Sequence, residues 1–245
     1  MTEELRRQLA ELVAVHKGLT NISERNSEVT VAGALPFEAS AEGLETIIES
    51  FDIELAVPHD FPETLPRVRE TGGRIGPDYD HRNPSGALCL GVPLEQRRVL
   101  LEQPTLLGFV NRLVIPFLYG YAFFEKNGRH PFGEAAHGSE GILRYYVDTL
   151  GLRDEVAVLS VICYLWEYGY RGHHDCPCGS GRKVRACHRA ALMALSQAHN
   201  QQSLRSDFIA VLELCWERVR DGRVPISQAL RRQLVRLLRR LEVEG

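Results

Sequence analysis

Phe51-Asp-Ile-Glu-Leu-Ala-Val57 sets Phe51, Ile53, Leu55 and Val57 on one face of an extended segment. That alternation predicts a β-strand with one buried face. Pro58, Pro62 and Pro66 follow, breaking regular structure and favouring extended backbone around them. Residues 71–87 are rich in Gly, Pro, Asp and Asn, the composition of a long ordered loop. Long loops inside compact domains are often functional. This one ends in Asp80-His-Arg-Asn-Pro-Ser-Gly-Ala-Leu-Cys-Leu90, with a short apolar run at Ala87–Gly91.

Upstream, Glu28–Ala32 also alternates, so strands are expected over 28–57. Residues 2–17 predict a helix capped by Thr2, with Leu5, Leu9, Leu12, Val13 and His16 at helical spacing. Downstream, 105–125 is an apolar helix bent or broken near Pro116, and 126–141 is a Gly-rich loop. Helical periodicity returns at 142–150, 154–168, 188–199, 204–220 and 226–242, with Gly222 and Pro225 as punctuation. The expected class is α+β: an antiparallel sheet with helices in 1–150, then a mostly α-helical domain over 151–245. The boundary is expected between 150 and 172.

The 245 residues suffice for one large domain or two modest ones, and 44% apolar with 25% charged residues is an ordinary globular balance. Collagen-like, low-complexity and mostly disordered readings are excluded. The net charge of −3 hides a split. Residues 1–170 carry 15 Lys/Arg against 25 Asp/Glu, and residues 171–245 carry 14 against 7. An acidic first part makes a nucleic-acid partner unlikely. The start, MTEELRRQLAELVAVHK, does not have the build of a secretory leader. Thr105 to Phe124 has the length of a membrane span, but Asn111, Arg112 and Pro116 interrupt it. It is expected to be a core helix rather than a membrane contact, and the clustered thiols suggest a reducing cytoplasm.

Six cysteines are too few for a disulfide scaffold, and Cys176, Cys178 and Cys187 fall close together with His188. Three thiolates and an imidazole form a standard closed tetrahedral zinc set, which leaves no open position and so predicts a structural metal. Gly179, Ser180 and Gly181 let the backbone fold back on itself, while Arg182, Lys183 and Arg185 offset the thiolate charge. The string Cys-Pro-Cys-Gly-Ser-Gly-Arg-Lys-Val-Arg-Ala-Cys-His188 closely resembles the SEC-C motif, a small bacterial zinc knuckle. Within 175–188 that resemblance implies Zn2+ on these four residues and a role in protein docking. His173 and His174, just upstream, are expected to be solvated linker residues.

The series Pro62, Pro66, His81, Asn83, Gly86-Ala-Leu-Cys-Leu90 and Pro104, set after a helix and strands, resembles ubiquitin-conjugating enzymes over about residues 1–150. Here His81 is followed by Arg82 rather than Pro, and Asn83 sits six residues before Cys89. The resemblance implies a bacterial branch of that superfamily, found beside ubiquitin-like proteins and activating enzymes in gene clusters linked to phage defence. It implies Cys89 as the thioester-forming nucleophile, Asn83 as oxyanion donor and His81 as a loop buttress. The implied partners are a ubiquitin-like protein, an activating enzyme and a protein target.

Acyl transfer from a thioester to an amine needs an accessible thiol and little else. Candidates for helping the amine lose its proton are Asp78, Asp80, Asn127, His130 and His137. The plainer readings are that Cys89 is core, that the two Asp residues hold turns, and that the two His residues structure their loop. Cys163 and Cys215 lie on apolar helix faces and are expected in the core. Arg231, Arg232, Arg236, Arg239 and Arg240 form a solvated face of the last helix or a docking face for an acidic partner. Two functions stand open: a conjugating enzyme working through Cys89, or an inactive binding module of the same fold.

Overall fold

The structure is a computed structural model that describes residues 1–132, 138–223 and 226–244, the side chains of residues 229 and 241–244 excepted. The chain divides into two compact units: Met1–Gly91 with Glu95–Ala135, and Val92–Leu94 with Ala136–Gly245. The class is mixed α+β, as expected.

The first unit opens with α1 (Glu3–Val15), whose N-terminus is capped as expected by Thr2, the hydroxyl accepting the Leu5 N–H at 3.1 Å. Leu5, Leu9 and Leu12 bury its apolar face. Gln8 is buried among them, and its carbonyl oxygen accepts the Leu106 N–H at 3.0 Å. A four-stranded antiparallel meander follows: β1 (Leu19–Arg25), β2 (Glu28–Ala39), β3 (Ile47–Pro58) and β4 (Arg67–Glu70). Phe51, Ile53, Leu55 and Val57 all face the core with Val29, Val31 and Leu35, so the alternation read from β3 decides which face is inside. Each such side chain stabilises the fold by roughly 1.5–3 kcal/mol.

Two strands carry no such pattern. In β1 only Leu19 is buried, since an edge strand needs no apolar face to pair. In β4, four residues long, Val68 and Glu70 are buried. Glu70 accepts the buried Ile75 N–H at 3.2 Å and so anchors the start of the long loop.

The loop leads into α2 (Pro93–Glu102), which the sequence pattern does not announce, and α3 (Leu106–Asn127). By length and composition α3 could cross a membrane, yet Leu106, Phe109, Val110, Val114 and Leu118 are all completely buried in the first unit. The bend expected near Pro116 takes the form of a π-helical turn at Val110–Val114. Pro116 has no N–H for the carbonyl one turn back, and the turn ahead of it widens. The two polar residues in mid-helix have partners: Asn111 bonds His16 at 2.9 Å, and Arg112 pairs with Glu102 at 2.6 Å.

The second unit holds α4 (Gly138–Leu150), α5 (Glu155–Tyr168), α6 (Arg189–Ala198), α7 (Gln201–Arg220) and α8 (Gln228–Glu244). The division lies earlier than the expected 150–172, because Ile142, Tyr146 and Leu150 of α4 pack in one core with α5 and α7. A polar chain runs through that core. The Tyr146 hydroxyl bonds Asp207 at 2.9 Å and His199 at 2.7 Å, and His199 bonds Ser203 at 2.9 Å. On α8, Leu230, Leu234 and Leu237 are buried while Arg231, Arg232, Arg239 and Arg240 are exposed. Arg236 pairs with Glu167 at 2.6 Å, so the basic face is partly an internal ion pair.

Candidate functional site

The end of the long loop folds into a hairpin. Asn83-Pro-Ser-Gly86 closes it, with the Gly86 N–H on the Asn83 carbonyl at 2.8 Å. Asn first, Pro second and Gly fourth is the residue order such a turn favours, and Gly86 takes φ +82°, which a side chain would strain. The Asn83 N–H then reaches the Ala87 carbonyl and the Cys89 N–H reaches the His81 carbonyl, both at 2.8 Å. The returning arm also pairs with β4 through Leu88 N–H on the Val68 carbonyl at 2.7 Å.

Alternation along this arm decides where the sulfur goes. Leu88 enters the core, and Cys89 is half-buried on the other side. Cys163 and Cys215, completely buried on α5 and α7, are the core cysteines expected there. Burial pushes the Cys163 thiol well above its ordinary range and the Cys215 thiol up to about 11.

The 2.8 Å bond sets the backbone of His81 beside that of Cys89, one residue beyond the bridge between Arg82 and Leu88. Arg82, standing where the resemblance leads to expect Pro, turns to the other side and donates to the Ile75 carbonyl at 2.6 Å. Asn83 is exposed at the turn, with its backbone N–H and carbonyl both engaged in closing it.

Aromatic rings pile up behind His81. Its ring lies 5.4 Å from Tyr79 and 5.3 Å from His130. His130 in turn stacks nearly parallel on Phe124 at 4.5 Å. Tyr79 also contacts Tyr121 edge-on at 5.0 Å, and burial, then the charges near it, pushes its phenol up to about 12. Tyr79 and Phe124 carry no local signal in the sequence; the turn Tyr79–Arg82, closed by the Arg82 N–H on the Tyr79 carbonyl at 2.9 Å, sets the Tyr79 and His81 rings together. Among the other candidates, Asp78 and Asp80 are exposed. Asn127 is occupied, donating to Glu45 at 3.1 Å and to the Phe123 carbonyl at 3.0 Å at the end of α3. His137 lies outside the described residues.

In the second unit, a second hairpin builds the cysteine cluster. The Cys176 N–H bonds the Arg182 carbonyl at 2.8 Å, and the Val184 N–H bonds the His174 carbonyl at 2.9 Å. Gly179 and Gly181, at φ +78° and +73°, supply the reversal. A 3₁₀ turn over Val184–Ala186 then delivers Cys187, and His188 follows at the start of α6. The four ligand atoms of Cys176, Cys178, Cys187 and His188 lie within 4.8 Å of one another. Cys176 Sγ and Cys187 Sγ are 3.2 and 3.3 Å from His188 Nδ1, and Cys178 Sγ is 3.6 Å from Cys187 Sγ. Two sulfurs bound tetrahedrally at the usual zinc distance would be about 3.7 Å apart.

His188 Nε2 meets the Leu150 carbonyl at 2.9 Å, which orients the ring and leaves Nδ1 for the metal. The cluster can therefore hold a metal ion. Burial would raise the Cys187 thiol, but bonds from Ser180 and the neighbouring thiols, with the Arg182 charge, hold it below its ordinary value. Burial pushes Cys176 up to about 12 in the absence of an ion; a bound dication reverses that effect. His173 is exposed as expected, whereas His174 is half-buried against the rings of Tyr164 and Tyr168.

Compared with known proteins, the chain matches no family model, no curated protein and no solved structure.

Proposed function

We propose that this protein is a thioester-forming carrier. Cys89 accepts the C-terminus of a ubiquitin-like protein from an activating enzyme and delivers it to a lysine amine of a target protein. The observation that carries the reading is the hairpin: it brings a half-buried thiol to the outer side of an arm whose next residue, Leu88, is locked in the core. The order helix, four-stranded meander, long loop, cysteine, helix agrees with the resemblance to ubiquitin-conjugating enzymes. The thioester arrives activated, so the chemistry asks for exposure and a proton acceptor rather than a full triad.

The cluster in the second unit takes zinc in this reading. Three thiolates and one imidazole suit that ion and leave it no open position, so it supplies shape rather than chemistry. A bacterial conjugation or phage-defence system in the cytoplasm is the setting that fits both motifs.

The test mixes the protein with an activating enzyme, its ubiquitin-like protein and ATP. A reductant-sensitive adduct that disappears in Cys89→Ala is expected. Absence of any adduct while the activating enzyme is charged overturns the carrier and leaves a binding module. Purified protein with clearly substoichiometric zinc overturns the metal assignment.

A further inference from the structure

We propose that His81 is the base that takes the proton of the attacking amine and that His130 is the residue that positions it; this rests on the reading of Cys89 as the thioester carrier. The family resemblance assigns His81 only to bracing the loop, and the structure gives it more to do. The Asn83-Pro-Ser-Gly86 turn sets His81 opposite Cys89, with the backbone bond of 2.8 Å between them as the rung. His81 sits in the turn Tyr79–Arg82, closed by the Arg82 N–H on the Tyr79 carbonyl at 2.9 Å, and the backbone bond holds it beside Cys89. Among the described residues, His81 is the titratable side chain whose own backbone is bonded to that of Cys89. Asn83 is committed to the turn and exposed, and Asn127 is committed to the end of α3.

The ring of His81 is held from behind. His130 meets it edge to face at 5.3 Å, and His130 itself is stacked on Phe124 at 4.5 Å with only 10° between the planes. Tyr79 closes the group at 5.4 Å from His81 and 6.1 Å from His130. A base fixed in this way loses less freedom when the amine arrives, which is how positioning enters a rate. Imidazole titrates close to neutral pH and suits both halves of the proton transfer.

In the step itself, the amine nitrogen attacks the acyl carbon of the thioester. The new C–N bond forms and the C–S bond to Cys89 breaks. The lysine ammonium first gives one proton to the His81 imidazole, which passes it to solvent, and Cys89 leaves as thiolate and takes the proton that the attacking nitrogen sheds on becoming an amide. The products are an amide and the free thiol.

The experiment uses the full chain loaded on Cys89 by exchange with a glycine-terminated peptide thioester, so no activating enzyme is required. Discharge is followed with two amines: lysine, protonated at neutral pH, and hydroxylamine, which is not. In His81→Gln, discharge to lysine should fall by about 100-fold, the low end for a lost general base. Loading and discharge to hydroxylamine should hardly change, and added imidazole should restore the lysine rate in His81→Ala. His130→Ala should lose about tenfold on lysine through misplacement of His81, and His130→Phe, which keeps the stack on Phe124, should recover it. Equal losses on both amines in His81→Gln overturn the proposal, as does an unchanged lysine rate. Loading that persists in Cys89→Ala overturns instead the carrier reading on which the proposal stands.

Discussion

Among the described residues, two hairpins present a half-buried cysteine, and they surround it differently. The arm ending at Cys89 and the arm that leads to Cys187 both fold back at a glycine of positive φ. Beside Cys89 stands His81, whose carbonyl accepts the Cys89 N–H at 2.8 Å, with Tyr79 and His130 packed on the His81 ring. Around Cys187 they are other ligands and hydrogen-bond donors: Cys178 at 3.6 Å, His188 at 3.3 Å, and Ser180 and Arg182 at 3.2 Å. The first setting places one half-buried sulfur beside an imidazole-bearing turn. The second converges several donors on a point and closes it. A turn is thus a neutral device, and the side chains placed about a sulfur decide what chemistry it can support.

The sharpest way to break this contrast is to remove each sulfur in turn. Cys187→Ser should abolish stoichiometric metal and lower the melting temperature of the full chain, because metal affinity is folding free energy for such a knuckle. Several kcal/mol are at stake by analogy with zinc-finger peptides, whose apparent binding energies run to about 10–16 kcal/mol. Cys89→Ser should leave metal content untouched and change stability by under about 0.5 kcal/mol, as surface substitutions do. Calorimetry with metal analysis checks both, and equal destabilisation by the two variants would dissolve the distinction.

A smaller effect concerns what holds the second unit besides metal. Tyr146→Phe removes a hydroxyl bonded to both Asp207 and His199 in a buried chain. It should cost about 1–3 kcal/mol in denaturant unfolding, the usual penalty for taking one partner from a buried polar group. No measurable cost would mean that the chain of bonds is dispensable and the apolar packing of α4 alone carries that junction. Arg236→Ala, by contrast, removes a half-exposed arginine from an ion pair whose Glu167 keeps the bond from Gln233, and should cost no more than about 1 kcal/mol.

The smallest effect sharpens the first unit's side of the contrast. Burial raises the Tyr79 phenol from 10.0 to about 12, so the folded chain keeps that proton longer than the unfolded chain does. Stability from this group is complete below pH 10 and declines as pH rises towards 12. Tyr79→Phe should make the alkaline limb of a stability profile shallower. A slope identical to that of the parent chain would place Tyr79 in open solvent and remove it from behind His81.

Much of this was legible in the residues. The period-two pattern of Phe51–Val57 announced which face of the sheet is buried, because alternation leaves a strand no other way to hide its apolar set. The spacing of Cys176, Cys178, Cys187 and His188 announced a metal-binding set, because ligands so close in sequence need only a tight turn to converge. Thr2 and the helical spacings did the same for α1 and the later helices. What was not legible lacked a local signal. An edge strand such as β1 has no pattern to read, and the helical spacing of α4 does not say which core it joins; the packing of Tyr146 with α5 and α7 does.

Chemistry at a distance was the other thing only packing could settle. Thiolate and imidazole chemistry at positions 81, 89 and 176–188 follows from residue type and short spacing. That Leu88 rather than Cys89 enters the core, and that His130 arrives beside His81 from a separate element nearly fifty residues on, follows from strand pairing and ring stacking. Those are contacts between segments remote in the chain, and no interval of sequence encodes them, because their energy exists only once the sheet and α3 have closed on one core.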